Sequence, residues 1–217
     1  TNGSSIDVLF QTTVPGSDID YYKINLRNKF YRPLGFADLV FGFVGELGYI
    51  GTYGDTEVTP FFENFYSGGP RSLRGFESNT LGPRVTPAPC YEYDPVNDIC
   101  PDIIDTDGDG IPDAPAQNPY AFSQYDDPIG GNLLIEGSLQ LIFKLPIVDD
   151  TRSMRSAFFL DFGNVFSTDC QDYQLNCSDP SIDELRYSIG VGITWITGFG
   201  PMSFSFSQPF NDGPFDR

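Results

Sequence analysis

Leu133-Leu134-Ile135-Glu136-Gly137-Ser138-Leu139-Gln140-Leu141-Ile142-Phe143-Lys144-Leu145 decides the fold class of this chain. Its odd positions are nearly all apolar: Leu133, Ile135, Leu139, Leu141, Phe143 and Leu145. Its even positions include Glu136, Ser138, Gln140 and Lys144. Side chains alternate across a strand, so a period of two puts an apolar face on one side and a polar face on the other. A strand this long, apolar along one face, fits a membrane barrel whose outside meets lipid and whose inside is polar.

The pattern repeats to either side. Ile6, Val8, Phe10, Thr12 and Val14 alternate with polar residues, and Pro15-Gly16-Ser17-Asp18 makes a turn. In the next run Tyr22, Ile24, Leu26, Asn28 and Phe30 share a face, opposite Lys23, Asn25, Arg27, Lys29 and Tyr31. An Arg or Lys on the lipid face costs about 2–4 kcal/mol at the midplane, so Lys23, Arg27 and Lys29 are expected to point inward. Further strands are expected over about Leu39 to Ile50, Arg155 to Phe166, Leu185 to Ile196 and Met202 to Gln208. In the fifth, Phe158, Leu160 and Phe162 lie opposite Asp161. About seven strands thus alternate between shorter links (15–20, 32–37, 146–154, 197–201) and longer loops, a very long one at 51–131 and a shorter, extracellular one at 167–184. That asymmetry is the outer-membrane pattern. A soluble β-sandwich also alternates, but it needs neither strands of this length nor such unequal turns. The expected fold is an all-β antiparallel transmembrane barrel occupying 1–217 as an incomplete C-terminal half. An open sheet with an apolar outer face leaves two edges unpaired, so the remaining strands belong to a longer parent protein.

Composition agrees. Aromatic residues make up 15% of the 217 residues, with 20 Phe, 12 Tyr and 23 Gly. No run of about 18 apolar residues occurs, which excludes a helical membrane span. The formal net charge of −18 argues against a nucleic-acid partner. The chain has no histidine, which removes a histidine-based catalytic triad and any His-ligated zinc site. The four cysteines form two close pairs, Cys90/Cys100 and Cys170/Cys177, in polar, turn-rich segments. Two local disulfides and an oxidising compartment are expected. Peptide mapping without reductant is expected to recover both pairs; free thiols or crossed pairing would refute them. No signal peptide opens the chain, and Thr1-Asn2-Gly3 leads almost directly into a strand, as in an excised fragment.

The long loop carries two constellations. Gly68-Gly69-Pro70-Arg71-Ser72-Leu73-Arg74-Gly75-Phe76 combines paired glycines, an always-charged planar fork at Arg74 and an aromatic anchor at Phe76. It reads as an ordered element that docks on a carboxylate. Asp105, Asp107, Asp109 and Asp113, with Gly110 at the sixth position, have the spacing of a calcium loop. Ala116 stands where the bidentate acid would be, and no helical flanks are apparent. Weak calcium binding and a solvated acidic tip both remain open.

The chain resembles the BamA family, the barrel subunits of the outer-membrane β-barrel assembly machinery. The resemblance rests on Phe61-Phe62-Glu63-Asn64-Phe65-Tyr66-Ser67-Gly68-Gly69, on Leu73-Arg74-Gly75-Phe76, on Ser78-Asn79-Thr80-Leu81-Gly82-Pro83 and on Gly130-Gly131-Asn132. Phe158-Phe159-Leu160-Asp161-Phe162-Gly163 and Phe204-Ser205-Phe206-Ser207-Gln208-Pro209-Phe210 extend it. The Arg-Gly-Phe motif alone marks a wider superfamily with TamA-type and two-partner secretion transporters; the Glu-Asn-Phe-Tyr and Ser-Asn-Thr flanks favour the assembly subunits. The resemblance implies a sixteen-strand barrel preceded by periplasmic POTRA domains, with this chain as strands nine to fifteen and both edges of the lateral seam missing. It implies a non-enzymatic insertase in the bacterial outer membrane, without a resident cofactor. Its partners would be the lipid bilayer, unfolded β-barrel clients and accessory lipoproteins. It also implies that the loop folds into the lumen and that Arg74 meets wall acids. Asp161 matches the family's wall aspartate. The second wall acid, usually glutamate, aligns with Gln140, and Glu136 on the same face is the candidate substitute. Cys90/Cys100 resembles a bridge in that family's long loop.

Overall fold

The computed structural model describes residues 2–14, 16–56, 58–84, 128–145, 153–170, 176–213 and 216. Seven strands form one antiparallel meander: β1 Gly3–Thr12, β2 Tyr21–Pro33, β3 Val40–Thr52, β4 Leu133–Phe143, β5 Met154–Phe166, β6 Arg186–Thr197 and β7 Gly200–Phe210. Among the described residues each strand pairs with its chain neighbours, in the order β1-β2-β3-β4-β5-β6-β7. Their lengths of 10–13 residues suit tilted membrane crossings. This is an unclosed all-β barrel wall.

Register turns the alternation into continuous rows. Phe30 lies opposite Phe43, Phe43 opposite Leu139, Leu139 opposite Leu160 and Leu160 opposite Ile189. This outer row has no protein covering it: Leu160 is 39% exposed and Ile189 52%. Apolar surface this continuous is stable against lipid, not water. The inner rows are polar. Arg27 faces Glu46, to which its Nε and Nη2 donate at 2.9 and 2.7 Å, and Glu46 faces Glu136. Lys23 Nζ meets the carbonyl of Glu63 at 2.6 Å. The inward placement of Lys23, Arg27 and Lys29 follows from these rows.

The core lies between the sheet and the long loop rather than between two sheets. Ile50, Leu134 and Val165 from three strands close around Phe65 from the loop. Gly48 leaves the space: a Cβ there would stand 2.4 Å from the Phe65 ring. Leu73, Phe76 and Leu81 form a second buried cluster within the loop.

The strand limits differ slightly from those expected. β4 ends at Phe143, before Leu145, and β7 extends in both directions to include Pro201 and Pro209. Proline lacks a ladder N–H, and Pro201 and Pro209 are the second and last-but-one residues of β7, where that loss falls near the strand's ends. The link 13–20 sits at the same end of the sheet as the long loop and the link 167–185. The other end carries 34–39, 144–153 and the turn at 198–199. Cys170 and Cys177 form a disulfide within the link 167–185, with Cα atoms 5.7 Å apart. Cys90, Cys100 and the acidic group Asp105, Asp107, Asp109 and Asp113 lie outside the described residues.

Candidate functional site: the arginine loop

The loop is built as an out-and-back ribbon. After the short 3-10 turn Phe61–Glu63, Phe65 exchanges two backbone hydrogen bonds with Gly131, at 2.9 and 3.0 Å. Asn64 Nδ2 donates to the carbonyl of Ile129 at 2.9 Å, tying the ingoing limb to the outgoing one. Further in, the Leu81 N–H donates to the carbonyl of Ser67 at 3.3 Å. Gly68 at the ribbon's neck has φ 103°, and a Cβ there would fall 2.3 Å from the carbonyl oxygen of Glu77. Only glycine fits that crossing. Gly75 has φ 96° and lets the loop lie against the wall, where a Cβ would stand 3.1 Å from Ser207 Oγ. The small residues Ser188 on β6 and Ser207 on β7 leave the room.

These turns deliver Arg74 to Asp161 on β5. Arg74 Nε donates to Asp161 Oδ2 and Nη2 to Oδ1, both at 2.7 Å, and the Arg74 main-chain N–H adds a third bond to Oδ2 at 3.2 Å. Two parallel bonds to a carboxylate use the guanidinium fork fully. Nη2 also donates to Ser138 Oγ at 3.0 Å. The guanidinium carbon lies 3.3 Å from the centroid of the Phe159 ring, a cation–π contact in a site where Asp161 is fully buried. Leu73 and Phe76, flanking the arginine and its glycine, are the buried anchors.

Glu136 and Gln140 take different roles from those expected. The hydrogen bonds of Arg74 go to Asp161 and Ser138. The Glu136 carboxylate instead accepts the hydroxyls of Ser67 and Ser72, at the neck of the ribbon. Gln140 Nε2 donates to Ser138 Oγ at 3.1 Å, so it steadies the serine that Arg74 binds. The reason is register. Asp161 stands opposite Ser138, whereas Glu136 stands opposite Gly163 and Gln140 opposite Phe159. Successive same-face positions are about 6.8 Å apart, and one planar fork reaches one such row. The Phe159 ring occupies the space under the guanidinium beside the Gln140 row. Phe159 and Ser138 were not singled out from sequence; an aromatic residue on the polar face of β5 was the available signal. Among the described residues, a cavity of about 770 Å³ remains below the loop, lined by Lys29, Glu46, Arg71, Arg74 and Gln140.

The comparisons with known proteins bear on the whole of this arrangement. A model of the Omp85 superfamily domain matches residues 1–217. The outer membrane protein assembly factor BamA of Neisseria meningitidis serogroup B (strain ATCC BAA-335 / MC58) is 31% identical over 238 residues, covering 100% of this chain and 25% of that protein. The crystal structure of BamA from Haemophilus ducreyi lacking POTRA domains 1–3 is similar with a TM-score of 0.72 and 28% identity, over 99% of this chain and 36% of that one. The chain therefore spans about a quarter of the length of the curated relative it matches.

Proposed function

The chain belongs to the Omp85 superfamily of bacterial outer-membrane barrels, and from that premise we propose that it is the C-terminal part of an outer-membrane insertase barrel, one that folds and inserts β-barrel clients. The observation that carries the reading is the bidentate Arg74–Asp161 pair on the polar face of the sheet. In the closed parent barrel that face is the lumen, and the loop is docked inside it. Glu136 holds the neck of the loop through Ser67 and Ser72, and Asp161 holds its tip. The docked loop fills one side of the lumen and stiffens the wall to which β6 and β7 belong. No bond is made or broken in this work, and no cofactor is needed. The partners are the lipid on the outer rows, unfolded barrel clients and accessory lipoproteins engaged by other parts of the parent. The acidic stretch Asp105–Asp113 is a candidate weak calcium site.

A TamA-type or two-partner secretion transporter is the alternative in the same superfamily. The flanks favour the assembly subunit. Asn64 of Glu-Asn-Phe-Tyr binds the outgoing limb, and Asn79 of Ser-Asn-Thr takes the positive φ of 62° that asparagine tolerates. Full-length protein reconstituted in vesicles is expected to speed insertion of a urea-unfolded barrel client severalfold over empty vesicles. Secretion of a soluble partner with no effect on client insertion would assign the transporter instead.

A further inference from the structure

Beyond β7 the chain turns back on itself. Asn211, at φ 56°, donates through Nδ2 to the carbonyls of Asp183 and Leu185, both at 2.7 Å. This anchors the segment to the link before β6. Asp216 then reaches a fully buried position. Its Oδ2 accepts Arg186 Nε at 2.5 Å and the Gly213 N–H at 2.6 Å. Arg186, at the first position of β6, is itself only 7% exposed. Its Nη1 reaches the Glu184 carbonyl at 3.3 Å and the Glu184 carboxylate at 3.5 Å.

The main chain of Asp216 faces the other way. Its carbonyl accepts the Glu77 N–H at 3.4 Å and Thr80 Oγ1 at 3.3 Å. Glu77 and Thr80 lie on the return limb of the arginine loop, three and six residues after Arg74. One residue is therefore held to β6 by its side chain and to the loop by its carbonyl. Nothing in the sequence pattern pairs Arg186 with a residue 30 positions away.

We infer that Arg186 and Asp216 are positioning residues for Arg74, coupling the loop to the segment that follows β7. The inference rests on the docked-loop reading above and deepens it. β7 pairs with β6 along its whole length. A movement at the end of β7 carries Asn211 and Asp216 with it, and through the Asp216 carbonyl it pulls on the limb that sets Arg74 over Asp161. The loop then senses the position of that end, and that end is steadied by the docked loop.

Coupling of this kind is reciprocal. Hydrogen exchange on the full-length protein in vesicles tests both directions. Arg186→Met is expected to speed exchange of amides 72–81 about tenfold while amides of β4 and β5 keep their rates, because local opening is read segment by segment. Arg74→Ala is expected to speed exchange at 211–216 in turn. A pair with only a local structural role would loosen 183–186 and 211–216 and leave 72–76 untouched, and that result overturns the inference. Should Arg186→Met not fold, the double variant Arg186→Met/Asp216→Leu leaves no lone buried charge and serves in its place. Unchanged exchange at 72–81 in a folded double variant is equally fatal. Client insertion is not the readout here. A protein that couples the two segments but inserts no client would sink the proposed function and leave this inference standing.

Discussion

Arg74→Ala in the full-length protein is expected to abolish most client insertion while leaving the mutant barrel itself folded. The substitution leaves Asp161 fully buried without its cation, and it empties the space over Phe159. Breaking one side of a buried pair costs about 3–5 kcal/mol. Here the lower end applies, because the Arg74 side chain keeps 17% exposure beside a cavity that it helps to line. Losing that contribution lowers the docked population of a loop otherwise held by the Leu73, Phe76 and Leu81 cluster and by the bonds of Ser67 and Ser72 to Glu136. The seven-stranded wall does not depend on it, since the ladder bonds and the outer rows are untouched. Heat-modifiable mobility on gels reads barrel folding, and insertion of an unfolded client into vesicles reads function. Arg74→Lys keeps the charge but loses the fork, so it is expected to retain part of the activity. Normal insertion by Arg74→Ala would show that docking does not govern delivery.

Leu160→Arg is expected to destabilise the parent barrel by about 2–4 kcal/mol, the cost of an arginine near the bilayer midplane. Leu160 is near the middle of β5, between Leu139 and Ile189 in the outer row. No neighbouring acid is available on that face to pair with it. Val44→Glu is the inward control. Val44 lies opposite Lys29 and lines the cavity, so a carboxylate there gains a cross-strand partner and stays hydrated. Its effect is expected to stay within about 1 kcal/mol. Urea unfolding from vesicles compares the two. Equal stability of both variants would mean that the outer row does not meet lipid.

The resemblance and the alternation together carried most of the fold. The expected strands match β1 to β7 with shifts of a few residues at their ends, because each was defined by a local period of two. The end effects came from features outside that period. Pro201 and Pro209 are the second and last-but-one residues of β7, so they interrupt the period only at its ends. The Cys170–Cys177 disulfide was legible because a sequence separation of 7 keeps the two close.

The site was legible to a different depth. That Asp161 turns away from Phe158, Leu160 and Phe162, and that Arg74 is held by glycines beside an aromatic anchor, followed from the residues alone. Both are statements about one strand or one turn, where backbone geometry fixes the side-chain direction. Asp161 as the acid that receives the arginine was expected from the resemblance, but which β4 residue joins it was not such a statement. Glu136, Ser138 and Gln140 share one face of β4, and the sequence does not rank them. The register of β4 on β5 puts Ser138, not Glu136 or Gln140, in the Asp161 row. The path of the ribbon then gives Glu136 to Ser67 and Ser72. The Arg186–Asp216 pair was invisible for the same reason, being made by a turn after one strand meeting the start of another. Local periodicity determined the strands and their faces. Register and loop path, which depend on all the strands at once, decided the partners.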